Sequence, residues 1–236
     1  MSNPFRFKQF TVHQDRCAMK IGTDGVLLGC WAPVAQVNSV LDIGAGTGVI
    51  SLILAQRSTA AVIDAVELDE DAYEQTVDNF ENSPWGDRLF CYHASFQEFF
   101  TEMDEQYDLI ISNPPFYTED YKTTDQKRDL ARFEDALPFE HLIYGAAKLL
   151  ADAGQLVLVV PYVQEEAIVN LAKIYGLYPA IITRVKGTTT AGVKRSLLVF
   201  SFAKQKTEEN ELIIETARHQ YTEDYMQLTK DFYLNM

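Results

Sequence analysis

The chain has 236 residues, 47% of them apolar, and its 34 acidic and 20 basic side chains give a net charge of −14. That length and apolar content fit one large α/β domain with a sizeable core and exclude a disordered chain. The charge argues against a nucleic-acid partner unless the bases are segregated onto one face, because phosphate binding ordinarily leaves a basic footprint.

No run approaches the roughly 18 apolar residues of a membrane helix. The start, Met1-Ser2-Asn3-Pro4-Phe5-Arg6-Phe7-Lys8, lacks the apolar region of a secretory signal. We expect a cytoplasmic protein with no membrane partner. Cys17, Cys30 and Cys91 are odd in number and lack CxxC spacing, and His13, His93, His141 and His219 are scattered, so neither a disulfide framework nor a metal site is expected.

Residues 1–35 precede the first strand. In Phe5-Arg6-Phe7-Lys8, alternation puts aromatics on one face and bases on the other. Val40–Ile43 reads as a strand ending at a glycine-rich turn, and Val49–Ala55 as the helix that follows. Ala61–Val66 is a second strand and Asp69–Phe80 a second helix. Leu89–Tyr92 and Tyr107–Ser112 are the third and fourth strands. Phe139–Leu150 carries apolar residues at 139, 142, 143, 146, 149 and 150, a helical stripe. Gln155–Val160 is a fifth strand and Gln164–Tyr175 a helix. Ala180–Val185 and Ser196–Phe202 form a late hairpin. Strands alternating with helices predict a doubly wound, mostly parallel, Rossmann-like sheet of seven strands, with the antiparallel hairpin at its end. One domain covers residues 1–236: a segment 1–35 over the site, a core 36–206, and a tail 207–236 whose seven acidic residues outnumber its two bases. Phe232, Tyr233 and Leu234 need burial, so the tail should pack on the core.

The turn Asp42-Ile43-Gly44-Ala45-Gly46-Thr47-Gly48 joins the first strand to a helix. Its glycines let the backbone approach a ligand closely, and the helix start offers unpaired N–H groups that suit a carboxylate. A nucleoside triphosphate would need GxxxxGK[ST], and no lysine follows. A dinucleotide would need GxGxxG, but residue 49 is Val49. The GxGxG spacing is that of S-adenosylmethionine enzymes, although a tight turn without ligand is open for the glycines alone. Glu67, ending the second strand, can accept both ribose hydroxyls. Leu68 can cover the adenine face, and Ser95 and Phe96 follow the third strand, where a polar group reaches the adenine edge.

Asn113-Pro114-Pro115-Phe116 follows the fourth strand. Ligands of open α/β sheets bind beyond the carboxyl ends of the strands, so this tetrapeptide and the glycine turn face one cleft. A purine exocyclic amine is a poor nucleophile because its lone pair is delocalised into the ring. Two acceptors, the Asn113 side-chain oxygen and the Pro114 carbonyl, can draw its two hydrogens out of the ring plane and free the lone pair. The prolines fix φ and bias Asn113 to an extended form, a rigid platform for methyl transfer. Pro115 shares in that rigidity, and Phe116 can stack on the base, with Tyr117 in support. No general base is demanded, although Asp24 or Asp120 can assist.

Together, Phe5-Arg-Phe-Lys-Gln-Phe10, Cys17-Ala-Met-Lys-Ile-Gly-Thr-Asp-Gly25, Leu41-Asp-Ile-Gly-Ala-Gly-Thr-Gly48, Asn113-Pro-Pro-Phe116, Ala131-Arg132 and Phe232-Tyr-Leu234 resemble the bacterial tRNA(Val) adenine N6-methyltransferases over essentially the whole chain. The resemblance implies a class I methyltransferase fold, S-adenosylmethionine as cofactor, and methylation of the adenosine at tRNA position 37. It also implies that the segment before the first strand reaches over the cofactor, with Lys20 and Thr23 binding it and Asp24 beside them. Packing with a helix cap by Thr23 or Asp24 is the plainer reading of that block. No obligate protein partner is evident. Ribosomal RNA guanine N2-methylation uses a similar platform but brings an extra domain, and protein-glutamine methylation would sit more comfortably with Tyr in place of Phe116. A non-catalytic cofactor-binding scaffold is a further alternative.

A tRNA enzyme of this charge must gather its bases around the cleft. Candidates for RNA contact are Arg6 and Lys8 in the amino-terminal segment, Arg132 after the tetrapeptide, and Lys186, Lys194 and Arg195 around the late hairpin. Solvated faces are the alternative for each cluster.

Overall fold

A computed structural model of the chain describes residues 3–115 and 137–236. A small antiparallel pair, β1 (Phe5–Arg6) and β2 (Thr11–Val12), precedes the first helix, α1 (Thr23–Trp31). The core then runs β3 (Ser39–Ile43), α2 (Val49–Arg57), β4 (Val62–Glu67), α3 (Glu70–Glu81), β5 (Leu89–His93), α4 (Phe96–Glu102) and β6 (Tyr107–Ser112). From residue 137 onward come α5 (Phe139–Leu149), β7 (Leu150–Pro161), a 3-10 turn at Tyr162–Gln164, α6 (Glu165–Ile174), β8 (Tyr178–Thr188) and β9 (Val193–Ser201). The tail supplies β10 (Glu208–Ala217), β11 (Gln220–Tyr221) and α7 (Glu223–Thr229).

The main sheet has the order β11-β10-β8-β9-β7-β6-β3-β4-β5. Strands β3 to β7 pair in parallel, and β9 enters antiparallel between β7 and β8. This is the expected doubly wound class, with all seven expected strands present. The sheet is nine strands wide because the tail joins it: β10 pairs in parallel with β8 from Glu208↔Ile181 to Glu215↔Thr188. The acidic composition of the tail masks its short apolar centre, Leu212-Ile213-Ile214, of which Leu212 is buried.

The central strands read as continuous apolar runs because both of their faces are covered. One core cluster unites α1, α2, Phe80 of α3 and Tyr225 of α7 with one face of the sheet. The other unites α4, α5 and α6 with the opposite face. Helix α2 is buried at every position from Val49 to Ala55, held between the sheet and α1. Among the described residues, no helix is long and apolar enough to cross a membrane. No group of three or more His, Cys, Asp or Glu side chains among them is gathered to hold a metal.

Candidate active site

In-register pairing of Ile43 with Ser112 and of Ile43 with Val66 sets the carboxyl ends of β3, β4 and β6 side by side. The glycine turn, Glu67 and Asn113 leave the sheet from that one edge. Ser112 donates its hydroxyl to the Ile43 carbonyl at 2.7 Å, tying the two strand ends together.

The three glycines differ in role. Gly44, Gly46 and Gly48 all have positive φ, at 75°, 58° and 74°, where other residues are strained. A Cβ on Gly44 or Gly46 would meet nothing within 4 Å, so that side of the turn is an open cradle. A Cβ on Gly48 would lie 2.6 Å from the Phe80 ring, so this glycine serves the packing of α2 against α3. Gly48 is also the N-cap of α2 and brings no capping side chain. The Val49 and Ile50 N–H groups at the start of α2 thus meet no capping side chain and can serve a carboxylate, while the Ser51 N–H is taken by Asp42.

The turn is locked from behind. The Gly46 carbonyl accepts from Thr76 Oγ1 at 2.9 Å and from the Cys17 thiol at 3.2 Å. Asn79 donates to the Thr47 and His13 carbonyls and accepts the His13 N–H. The Arg16 N–H donates to Gln75, and the Arg16 guanidinium pairs with Glu74 and Asp78. The segment before α1 is thus bonded through α3 to the glycine turn. Sequence reading missed these residues. The signal was present: Gln75, Thr76 and Asn79 are buried polar residues on the inward face of an amphipathic helix.

Glu67 is held by three backbone donors. Its Oε2 accepts from Gly46 N–H at 2.7 Å, and its Oε1 accepts from Leu68 and Asp69 N–H at 2.9 and 3.0 Å. Leu68 is 49% exposed beside Glu67. His93 donates to the Leu68 carbonyl at 3.1 Å and stacks on Tyr73, a support the sequence did not indicate.

Several expected cofactor contacts take other roles. The Asp42 side chain is fully buried and accepts from Ser51 N–H and Oγ, so it anchors α2 beneath the turn and faces no ligand. Burial pushes its carboxyl up to about 7, and Oδ1 has no partner among the described residues. Ala45 is buried in the core, and only its backbone borders the turn. Ser95 forms a capping box with Glu98, which occupies its hydroxyl as donor and acceptor. Phe96 is a buried core side chain at the first position of α4, so its ring is turned into the core. Lys20 donates to the Gln14 and Cys17 carbonyls and so fastens its own loop. Thr23 is exposed in the first turn of α1; Gly22 is the N-cap, so neither Thr23 nor Asp24 caps the helix.

Asn113 is half-buried, Pro114 buried and Pro115 half-buried, directly beyond β6. A Cβ on Gly25 would lie 3.6 Å from Asn113 Nδ2, so α1 walls one side of the Asn113 amide. Phe116, Tyr117, Asp120, Lys122, Lys127, Arg128 and Arg132 lie outside the described residues.

The bases expected at RNA are mostly engaged. Lys186 pairs with Glu211 at 2.7 Å, and Arg195 Nε donates to Asp24 at 2.8 Å. Lys8 Nζ donates to the Lys230 and Met236 carbonyls. Arg6 and Lys194 are exposed. As alternation required, Phe5 and Phe7 face inward against each other and Tyr233, away from the two bases.

A family model, the methyltransferase small domain, matches residues 21–186. The tRNA1(Val) (adenine(37)-N6)-methyltransferase of Flavobacterium psychrophilum is 61% identical over 98% of this chain and 100% of its own. The enzyme of that name from Bacteroides fragilis is 44% identical over 100% of both chains. A solved structure from Agrobacterium tumefaciens, described as a predicted O-methyltransferase, superposes with a TM-score of 0.67 over 89% of this chain and 96% of that one, at 20% identity, a likeness of fold alone. Full-length identity at this level, on a sheet edge that carries both an open glycine cradle and an Asn-Pro-Pro turn, places the chain in the family of tRNA1(Val) (adenine(37)-N6)-methyltransferases, enzymes that depend on S-adenosylmethionine.

Proposed function

We propose that the substrate is adenosine 37 of a valine tRNA, methylated on its exocyclic N6 in the cytoplasm. The observation that carries this reading is the register of β3 against β6, which sets Asn113 beside the glycine cradle. The residues fit the cofactor: Gly44 and Gly46 leave room for it, the α2 N-terminus suits its carboxylate, and Glu67 and Leu68 suit its ribose and adenine. When bound, S-adenosylmethionine supplies a methyl group activated on a sulfonium sulfur. Asn113 Oδ1 and the Pro114 carbonyl accept the two N6 hydrogens and turn the nitrogen lone pair out of the purine plane. Fixed φ at Pro114 and Pro115 holds both acceptors in place, so little reorganisation accompanies the transfer. The amine so held would be the nucleophile toward the methyl group that the cofactor would supply, with the cradle residues holding that group in place. N6 then carries an extra proton, which is acidic enough to leave to water without a dedicated base.

The experiment is methyl transfer from labelled cofactor to bulk tRNA, with nucleoside analysis, for the wild type and Asn113→Ala. N6-methyladenosine in the wild type and none in the variant is the expected result. Label in ribosomal RNA or in protein, with none in tRNA, would overturn the substrate.

A further inference from the structure

Asn113 stands just past the last ladder bond of β6, and its side-chain nitrogen faces α1 across Gly25. Whatever holds the first turn of α1 therefore holds the wall against which the catalytic amide rests. That turn lacks a cap of its own: Gly22 has no side chain to offer, and the helix starts without a side-chain cap bond. What fastens it is Asp24, whose Oδ2 accepts from Arg195 Nε at 2.8 Å. Arg195 is in turn set against its own strand, where Nη1 donates to the Lys194 carbonyl, and it stands opposite Pro161 in the β7–β9 ladder. The contact joins residues 171 apart in sequence and runs from α1 to β9, the strand beyond β7. Both side chains are about one-third exposed, at 35% for Asp24 and 33% for Arg195, so the pair lies at the rim and not in the core.

We infer that the Asp24–Arg195 ion pair is a brace that positions α1 against Asn113, which makes both residues positioning residues for methyl transfer. The inference rests on the reading of Asn113 as the acceptor of the substrate amine. A loosened first turn widens the orientations open to the Asn113 amide. Orientation of a group that acts on the reacting atom is felt in the rate of the bound complex more than in the affinity for either substrate. Arg195 as a phosphate hook makes the opposite demand, because RNA would have to draw it away from Asp24.

The test is a double-mutant cycle with Asp24→Asn, Arg195→Gln and the pair together, read as kcat, KM for tRNA, cofactor affinity and amide exchange over residues 23–28. Each single variant should lower kcat by about tenfold, and the double variant should lose clearly less than the product of the two losses, because the two changes share one interaction. Cofactor affinity should hold within about twofold, and exchange over 23–28 should quicken in all three variants. Wild-type kcat in Asp24→Asn, or a raised KM for tRNA with unchanged kcat in Arg195→Gln, would overturn the brace. Exchange needs no substrate, so it separates the two ideas: quickened exchange in an enzyme whose wild type leaves tRNA unmethylated keeps the brace and removes the substrate.

Discussion

Glu67 Oε2 accepts the Gly46 N–H at 2.7 Å, so the carboxylate that we propose receives the ribose also holds the glycine turn in shape. Ligand recognition and loop shape share one side chain, which makes its loss more than the loss of two hydrogen bonds.

Glu67→Gln keeps the size and one acceptor but loses the charge that favours three N–H donors. Cofactor affinity measured by calorimetry should weaken by about tenfold, and Glu67→Ala by about a hundredfold or more, because the Gly46 N–H is then also left without its acceptor. Equal affinities in the two variants would separate the carboxylate from the loop.

Gly46→Ala and Gly48→Ala should fail differently. Gly46 faces open space, so alanine there costs about 1–2 kcal/mol through its positive φ and blocks the cofactor. Gly48→Ala adds a clash with Phe80 and should cost roughly 2–4 kcal/mol in a denaturant melt of the ligand-free protein.

Asn113→Ala should reduce kcat by about a hundredfold or more while cofactor affinity changes less than about threefold, since the lost acceptor acts on the reacting amine. Comparable losses in both quantities would mean that Asn113 serves the cofactor instead.

Asp42 gives the molecule a pH signature. Burial raises its carboxyl from the ordinary aspartate range to about 7, so the folded chain holds this proton more tightly than the unfolded one. The associated stability is whole below about pH 4 and is lost as pH rises through about 7. Asp42→Asn should therefore gain on the wild type between pH 5 and pH 8, by at most about 4 kcal/mol, since Asn still accepts from Ser51. A constant stability difference across that range, measured by denaturant titration, would remove Asp42 as the source.

Burial also raises the Cys17 thiol to about 11 and the Cys30 and Cys91 thiols to about 12. The folded protein should react with iodoacetamide at pH 8 at least about tenfold more slowly than the urea-unfolded chain, because the thiolate is the nucleophile. Mass analysis after timed alkylation checks this.

What the sequence disclosed follows physical period and locality. Strands such as Tyr107–Ser112 announce themselves because both faces are apolar. Helix α1 does not, because Gly25 to Cys30 are all buried and no polar face gives it a period. The Ser95-x-x-Glu98 spacing was a legible capping box, yet the place of Ser95 after a strand drew it into the adenine site. The glycine turn, Glu67 and Asn113 were readable because each is a local pattern at a strand end. The fates of Lys186 and Arg195 were not, because their partners Glu211 and Asp24 lie 25 and 171 residues away and carry no local sign. Charge clusters in a sequence count bases without showing which are neutralised by the fold.

The two ends of the chain are bonded to each other: Lys8 N–H donates to the Phe232 carbonyl, Phe7 bridges Tyr233, and Phe7 and Phe5 pack on the Tyr233 ring. The same amino-terminal segment is bonded further along, through His13 and Arg16, to α3 behind the glycine turn. Loosening Phe232 or Tyr233 should therefore be felt at a turn that neither residue touches, by way of a strap fastened at both of its ends.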